Sequence, residues 1–143
     1  MKIIALLSLI LFYGIAVQAE ESWINSLETS LEEAARTDKA VYISFVGLNW
    51  SVSSKKWNRE MHQSEAFRAF ASENLIELTI NARTKPQLSK RLQSELQALV
   101  VKFDIKSYPT LIVLNSDGVE LHRHGYLELS PEAYISALST LIE

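Results

Sequence analysis

The sequence predicts one α/β domain: a mixed central sheet flanked by helices on both faces and closed by a C-terminal β-hairpin and helix. Three observations carry this. Helical and extended patterns alternate along the chain. Val41 to Val46 and Leu111 to Leu114 are too continuously apolar for strands with one wet face, so they suit the middle of a covered sheet. Asn115-Ser116-Asp117-Gly118 is a hairpin signal, and Ser130-Pro131 after it opens a last helix.

The elements follow in order. Trp23, Leu27, Leu31, Ala34 and Ala35 recur at spacings of three and four, which predicts an amphipathic helix from Trp23 to Thr37. Asp38-Lys39 breaks it, and the strand Val41 to Val46 begins. Gly47 to Trp50 form a loop, and a helix is expected from about Ser51 to Met61. Ser64 has the character of an N-cap for a further helix whose apolar stripe is Phe67, Phe70 and Ala71. Leu75 to Ile80 is the next strand and Asn81 to Pro86 a polar loop. Leu88, Leu92, Leu96, Leu99, Val100 and Phe103 mark one face of a long helix. After the strand at 111–114, Val119 and Leu121 are expected to point inward from the second hairpin strand. Tyr134, Leu138 and Leu141 form the inner face of the last helix.

Residues 1–19 read as a secretory leader: Lys2 supplies the positive charge, Ile3 to Val17 the apolar stretch, and Val17-Gln18-Ala19 the small-residue cleavage site. The apolar stretch is short for a membrane span, which needs about 20 residues. Residues 20–143 then form the single domain, expected to be periplasmic or secreted and free of the membrane once the leader is cut. Loss of Lys2 takes the net charge from −3 to −4, a mixed-sign surface with no footprint for nucleic acid. The chain contains no cysteine. Its core must hold without disulfides, and dithiol chemistry, thiolate metal sites and Fe–S clusters are excluded within it.

The junction of the first strand with the following helix is the most informative stretch. It reads Phe45-Val46-Gly47-Leu48-Asn49-Trp50-Ser51-Val52-Ser53-Ser54-Lys55. With cysteine at 51 and 54 it would be F-x-G-x-x-W-C-x-x-C-K. About 55 residues on, Asp104-Ile105-Lys106-Ser107-Tyr108-Pro109-Thr110-Leu111 leads into an apolar strand. Together with the element order, these segments resemble the thioredoxin superfamily over essentially the whole of residues 20–143.

The resemblance implies a thioredoxin-like fold, a cis bond before Pro109, and a groove beside Ser51 where backbone near Tyr108 takes an extended peptide. It makes Ser51 and Ser54 vestigial redox positions, and it places Ser44 where many thioredoxins hold a buried acid. The expected groove is Trp50, Ser51, Ser54, Ser107, Tyr108 and Pro109, with no catalytic residue, cofactor or metal and with an unspecified protein or peptide partner. Two other readings stand beside it: a thiol-disulfide oxidoreductase represented as a Cys-to-Ser variant, and binding of a small thiol such as glutathione.

Plainer roles compete for several residues. Ser51 and Ser54 are expected to cap a helix. Ser51 lacks the G-x-S-x-G elbow and a nearby histidine that a hydrolytic serine needs. His122 and His124, with Glu120, would share one strand face as metal ligands, but two histidines make no closed site, so the pair is expected to face solvent. Trp57 is expected to pack on the sheet, Trp50 and Tyr108 to rim the groove, and Lys55 and Lys56 to form a solvated helix face.

Overall fold

A computed structural model describes residues 21–143; the leader expected at residues 1–19 lies outside the described residues. The chain runs α1 (Trp23–Thr37), β1 (Ala40–Val46), α2 (Val52–Trp57), a π-helical turn (Asn58–His62) and α3 (Glu65–Asn74). It continues through β2 (Leu75–Asn81), a 3-10 turn (Lys85–Gln87), α4 (Lys90–Lys102), β3 (Thr110–Leu114), β4 (Glu120–His124) and α5 (Pro131–Ile142). The sheet order is β2-β1-β3-β4. β1 is parallel to β2 and antiparallel to β3, which is antiparallel to β4. Among the described residues no helix is long and apolar enough to cross a membrane.

Every residue of β1 is buried, which explains its unbroken apolar run. Its side chains alternate between two cores. Val41, Ile43 and Phe45 face α1 and α4, packing with Leu27, Leu92 and Leu99. Ala40 and Tyr42 face the other layer, with Trp57, Met61, Phe67, Tyr134 and Leu138.

Glu95 of α4 ties two helices of the first layer together. Its carboxylate accepts from the Trp23 N–H at 2.8 Å, the Ile24 N–H at 3.4 Å, the Ser22 hydroxyl at 3.0 Å and Arg91 Nη1 at 2.9 Å. The carboxylate thereby pairs the Trp23 and Ile24 N–H groups, which the start of α1 leaves without an intrahelical partner. Burial alone would raise the Glu95 carboxyl, but the hydrogen bonds from Ser22, Ile24, Arg91 and Trp23 outweigh it and hold the group below its ordinary value.

Three expectations need correction. The helix after the first loop is α-helical only to Trp57 and then widens into the π turn, whose bulge no apolar spacing announces. Val119 and Leu121 do not point inward; they are 58 % and 37 % exposed. The register pairs Leu114 with Glu120 but Val113 with His122, so Leu121 is the extra residue of a β-bulge on an edge strand. The same bulge turns Glu120 toward Arg123, at 2.5 Å and 2.8 Å, and away from the histidine face. Lastly, His124 is drawn under α5 instead of facing solvent, and its ring lies against Trp57 and Tyr134.

Candidate functional site

The junction expected from the sequence is built by close contacts of the backbone. Gly47 O accepts from the N–H of Trp50 at 3.2 Å and of Ser51 at 2.7 Å, closing the turn that ends β1. The Trp50 indole folds back over that turn, so a Cβ on Gly47 would sit 2.5 Å from the ring. Only glycine allows this approach. The indole Nε1 donates to Ala82 O at 2.6 Å, and Asn81 Oδ1 accepts from the Leu48 N–H at 3.0 Å, so the end of β2 holds the loop in place.

Ser51 caps α2: its hydroxyl oxygen accepts from the Ser54 N–H at 3.1 Å. It is one of five serines with this role. Ser22, Ser64, Ser89 and Ser130 cap α1, α3, α4 and α5 through the same N3 contact. Ser51 also donates its proton to the backbone carbonyl of Tyr108 at 3.3 Å, which ties the helix start to the loop before β3. Ser54 is fully buried and its Oγ accepts from the Gly47 N–H at 3.1 Å. Both hydroxyls are thus committed to the backbone around them.

The Tyr108–Pro109 bond is cis. Pro109 is buried, Tyr108 half-buried, and the Tyr108 ring meets Trp50 edge-on at 5.4 Å. Burial raises the Tyr108 phenol, so it stays protonated at neutral pH. Among the turn and loop hydrogen bonds of the described residues, the Tyr108 N–H has no partner. Trp50 is 47 % and Val52 79 % exposed, which leaves an apolar rim around that backbone. The structure therefore brings Trp50, Ser51, Ser54, Tyr108 and Pro109 together. Ser107 is different: it is exposed, and its carbonyl turns back to accept from Thr110 Oγ1 at 2.7 Å.

Ser44 lies on β1 opposite Thr79, 4 % exposed, on the α2 side of the sheet. Behind α2 the structure also holds a chain of polar groups that the sequence did not suggest. Gly125 O contacts His124 Nδ1 at 2.6 Å; a carbonyl can only accept, so Nδ1 carries the proton. Nε2 then accepts from the Tyr134 hydroxyl at 2.7 Å, and Tyr134 accepts from Tyr42 at 2.9 Å. Burial lowers the His124 ring below its ordinary value and raises both tyrosines, so all three groups are neutral. With both ring nitrogens engaged and Glu120 on the other face, the His122–His124–Glu120 metal reading loses two of its three ligands.

A four-stranded mixed sheet whose first strand runs into a capped helix beside an X-Pro loop defines a protein of the thioredoxin fold. The comparisons agree. A profile described as thioredoxin-like matches residues 22–116, and the chain belongs to that family. It is 22 % identical over 118 residues to a disulfide bond reductase, DsbH, of Chlamydia pneumoniae, covering 82 % of this chain and 71 % of that one. A solved DsbH oxidoreductase structure superposes with a TM-score of 0.74 at 22 % identity, over 87 % of this chain and 83 % of the other. A disulphide isomerase of Xylella fastidiosa matches with a TM-score of 0.62 at 16 % identity, over 88 % and 95 %. At these identities the structural matches speak for the fold. The sequence has no cysteine, so dithiol exchange has no sulfur to run on at Ser51 and Ser54.

Proposed function

We propose that this protein is a thioredoxin-fold binding module that takes an extended peptide, or an extended segment of a partner protein, along Trp50, Ser51, Ser54, Ser107, Tyr108 and Pro109. The observation that carries this reading is the exposed Trp50, edge-paired with the half-buried Tyr108, beside a backbone N–H that has no partner among the described residues. Strand-like recognition uses main-chain hydrogen bonds for affinity and neighbouring side chains for selectivity. Neither requires sulfur. The serines serve the backbone of the site, and the aromatic rim meets the ligand. Residues 1–19 act as a leader that delivers the domain to a periplasmic or extracellular compartment; sequencing of the exported protein should then begin at Glu20.

The test is selection from a random peptide library, followed by titration of the recovered peptides. Trp50→Ala and Tyr108→Ala should each weaken binding by about tenfold or more while circular dichroism stays unchanged, since buried aromatic anchors dominate such interfaces. Equal binding by both variants would remove the groove from consideration.

A further inference from the structure

A second concavity lies behind α2, away from Trp50 and Tyr108, with a volume of about 300 Å³. Its construction depends on the π turn, which supplies Asn58 and His62, with Gln63 following directly. Such turns widen a helix and are frequent at functional sites. His62 Nε2 is fixed to Glu77 Oε1 at 2.9 Å, pinning the turn to the edge strand β2.

Several donors of the lining have no partner among the described residues. Ser44 is 4 % exposed and lines the cavity, yet its hydroxyl makes no hydrogen bond among the described residues. That hydroxyl opens onto the concavity and is free to pair with a group placed there. Thr79 and Arg68, both exposed, also line the space and make no side-chain hydrogen bond or ion pair among the described residues, which leaves them open to a ligand. Val46, Leu48 and Trp57 supply the apolar part of the lining. The Trp57 indole N–H is itself buried and makes no hydrogen bond among the described residues. With the Glu77 carboxylate occupied by His62, Arg68 is the unpaired cation of the set.

We propose that this cavity binds a small carboxylate with a short aliphatic body. Arg68 takes the carboxylate in the planar, two-pronged fashion that a guanidinium favours, and the Ser44 and Thr79 hydroxyls donate to its remaining lone pairs. The aliphatic part lies on Val46, Leu48 and Trp57. The volume is at the lower end for ligand pockets, about 300–1,000 Å³, which limits the ligand to a few carbons. A phosphate would satisfy Arg68 but leave the apolar wall uncovered.

The experiment is titration of the protein with sodium butyrate, read by the Trp57 indole and Thr79 amide resonances, with sodium chloride and inorganic phosphate at matched ionic strength. Butyrate should shift both resonances saturably and leave Trp50 and Tyr108 in place. Arg68→Gln, a change at an exposed side chain, should weaken binding by about tenfold, and Ser44→Ala should weaken it further. If Ser44→Ala does not fold, Arg68→Gln decides alone. No saturable response at Trp57, an equal response to phosphate, or unchanged affinity in folded Arg68→Gln would each overturn the proposal. None of these outcomes bears on the peptide groove.

Discussion

The two faces of the sheet are built to different rules. On the α1/α4 side, aliphatic side chains and Phe45 against Phe103 fill the layer, and its one buried carboxylate, Glu95, binds helix-terminal groups. On the α2/α3/α5 side, rings dominate: Trp57 packs edge-on against Tyr134 at 5.0 Å and His124 at 5.4 Å, over a hydrogen-bonded row of Tyr42, Tyr134 and His124. The first face is a foundation. The second lies under α2 and keeps polar atoms and open space within reach of it.

The largest expected effect separates packing from polarity on the second face. Trp57 is 2 % exposed, so Trp57→Ala should destabilise the protein by about 3–5 kcal/mol in denaturant unfolding. Its Nε1 makes no hydrogen bond among the described residues, so Trp57→Phe should recover most of that loss. If phenylalanine proves as damaging as alanine, the indole N–H has a role that packing does not describe.

Next comes the polar anchor of the first face. Glu95→Ala removes a carboxylate that serves two backbone N–H groups, a hydroxyl and a guanidinium, and should cost about 2–3 kcal/mol. Because its folded value is depressed below the ordinary 4.5, Glu95 contributes stability that is fully present above 4.5 and lost as pH falls through the lower folded value. Stability curves of the parent and Glu95→Gln should therefore converge in acid. Parallel curves down to the lowest pH would show that the carboxylate is not held in this way.

The row of hydroxyls gives a smaller effect. Tyr134→Phe removes the donor to His124 Nε2 and should cost about 1 kcal/mol. The His124 ring has a folded value depressed below 6.5, so the stability it confers is present above 6.5 and is lost as pH falls through the folded value. In an NMR titration His124 should stay neutral to below its ordinary 6.5, with the proton on Nδ1. A midpoint above 6.5 would refute the assignment of donors along the row.

How much of this was legible depended on whether the signal was local. β1 and β3 could be read because burial on both faces leaves continuous apolar runs, and the serine before each helix repeats a capping chemistry visible at Ser51, Ser64 and Ser130. The junction at Trp50–Ser51 and the loop at Tyr108–Pro109 were readable by resemblance, but only the fold shows that Ser51 bonds the Tyr108 carbonyl across 57 residues. The bulge at Leu121 was hidden because a register shift is a property of two strands, not one. His124 was misread for that reason: its burial comes from Tyr134 of α5 and Trp57, neither of which is near it in the alternation of β4.

The smallest stability change is expected where the sequence departs most from its family. Ser51→Ala should cost about 1 kcal/mol, as at any serine cap, whereas Ser51→Cys with Ser54→Cys should stay within about 1 kcal/mol of the parent. Sulfur is a weaker acceptor for the Ser54 and Gly47 N–H groups, but it fills the same positions. Its chemistry is the sharper readout. The restored pair should form a disulfide on oxidation yet reduce insulin slowly, since Ser44 offers no titrating group on the strand beneath. Adding Ser44→Asp should raise that rate by at least about tenfold, the lower range for a positioned proton carrier. If turnover is already fast with Ser44 in place, proton transfer needs no acid on β1. The polar, hollow face would then owe its character to what it binds, not to a relay that has been lost.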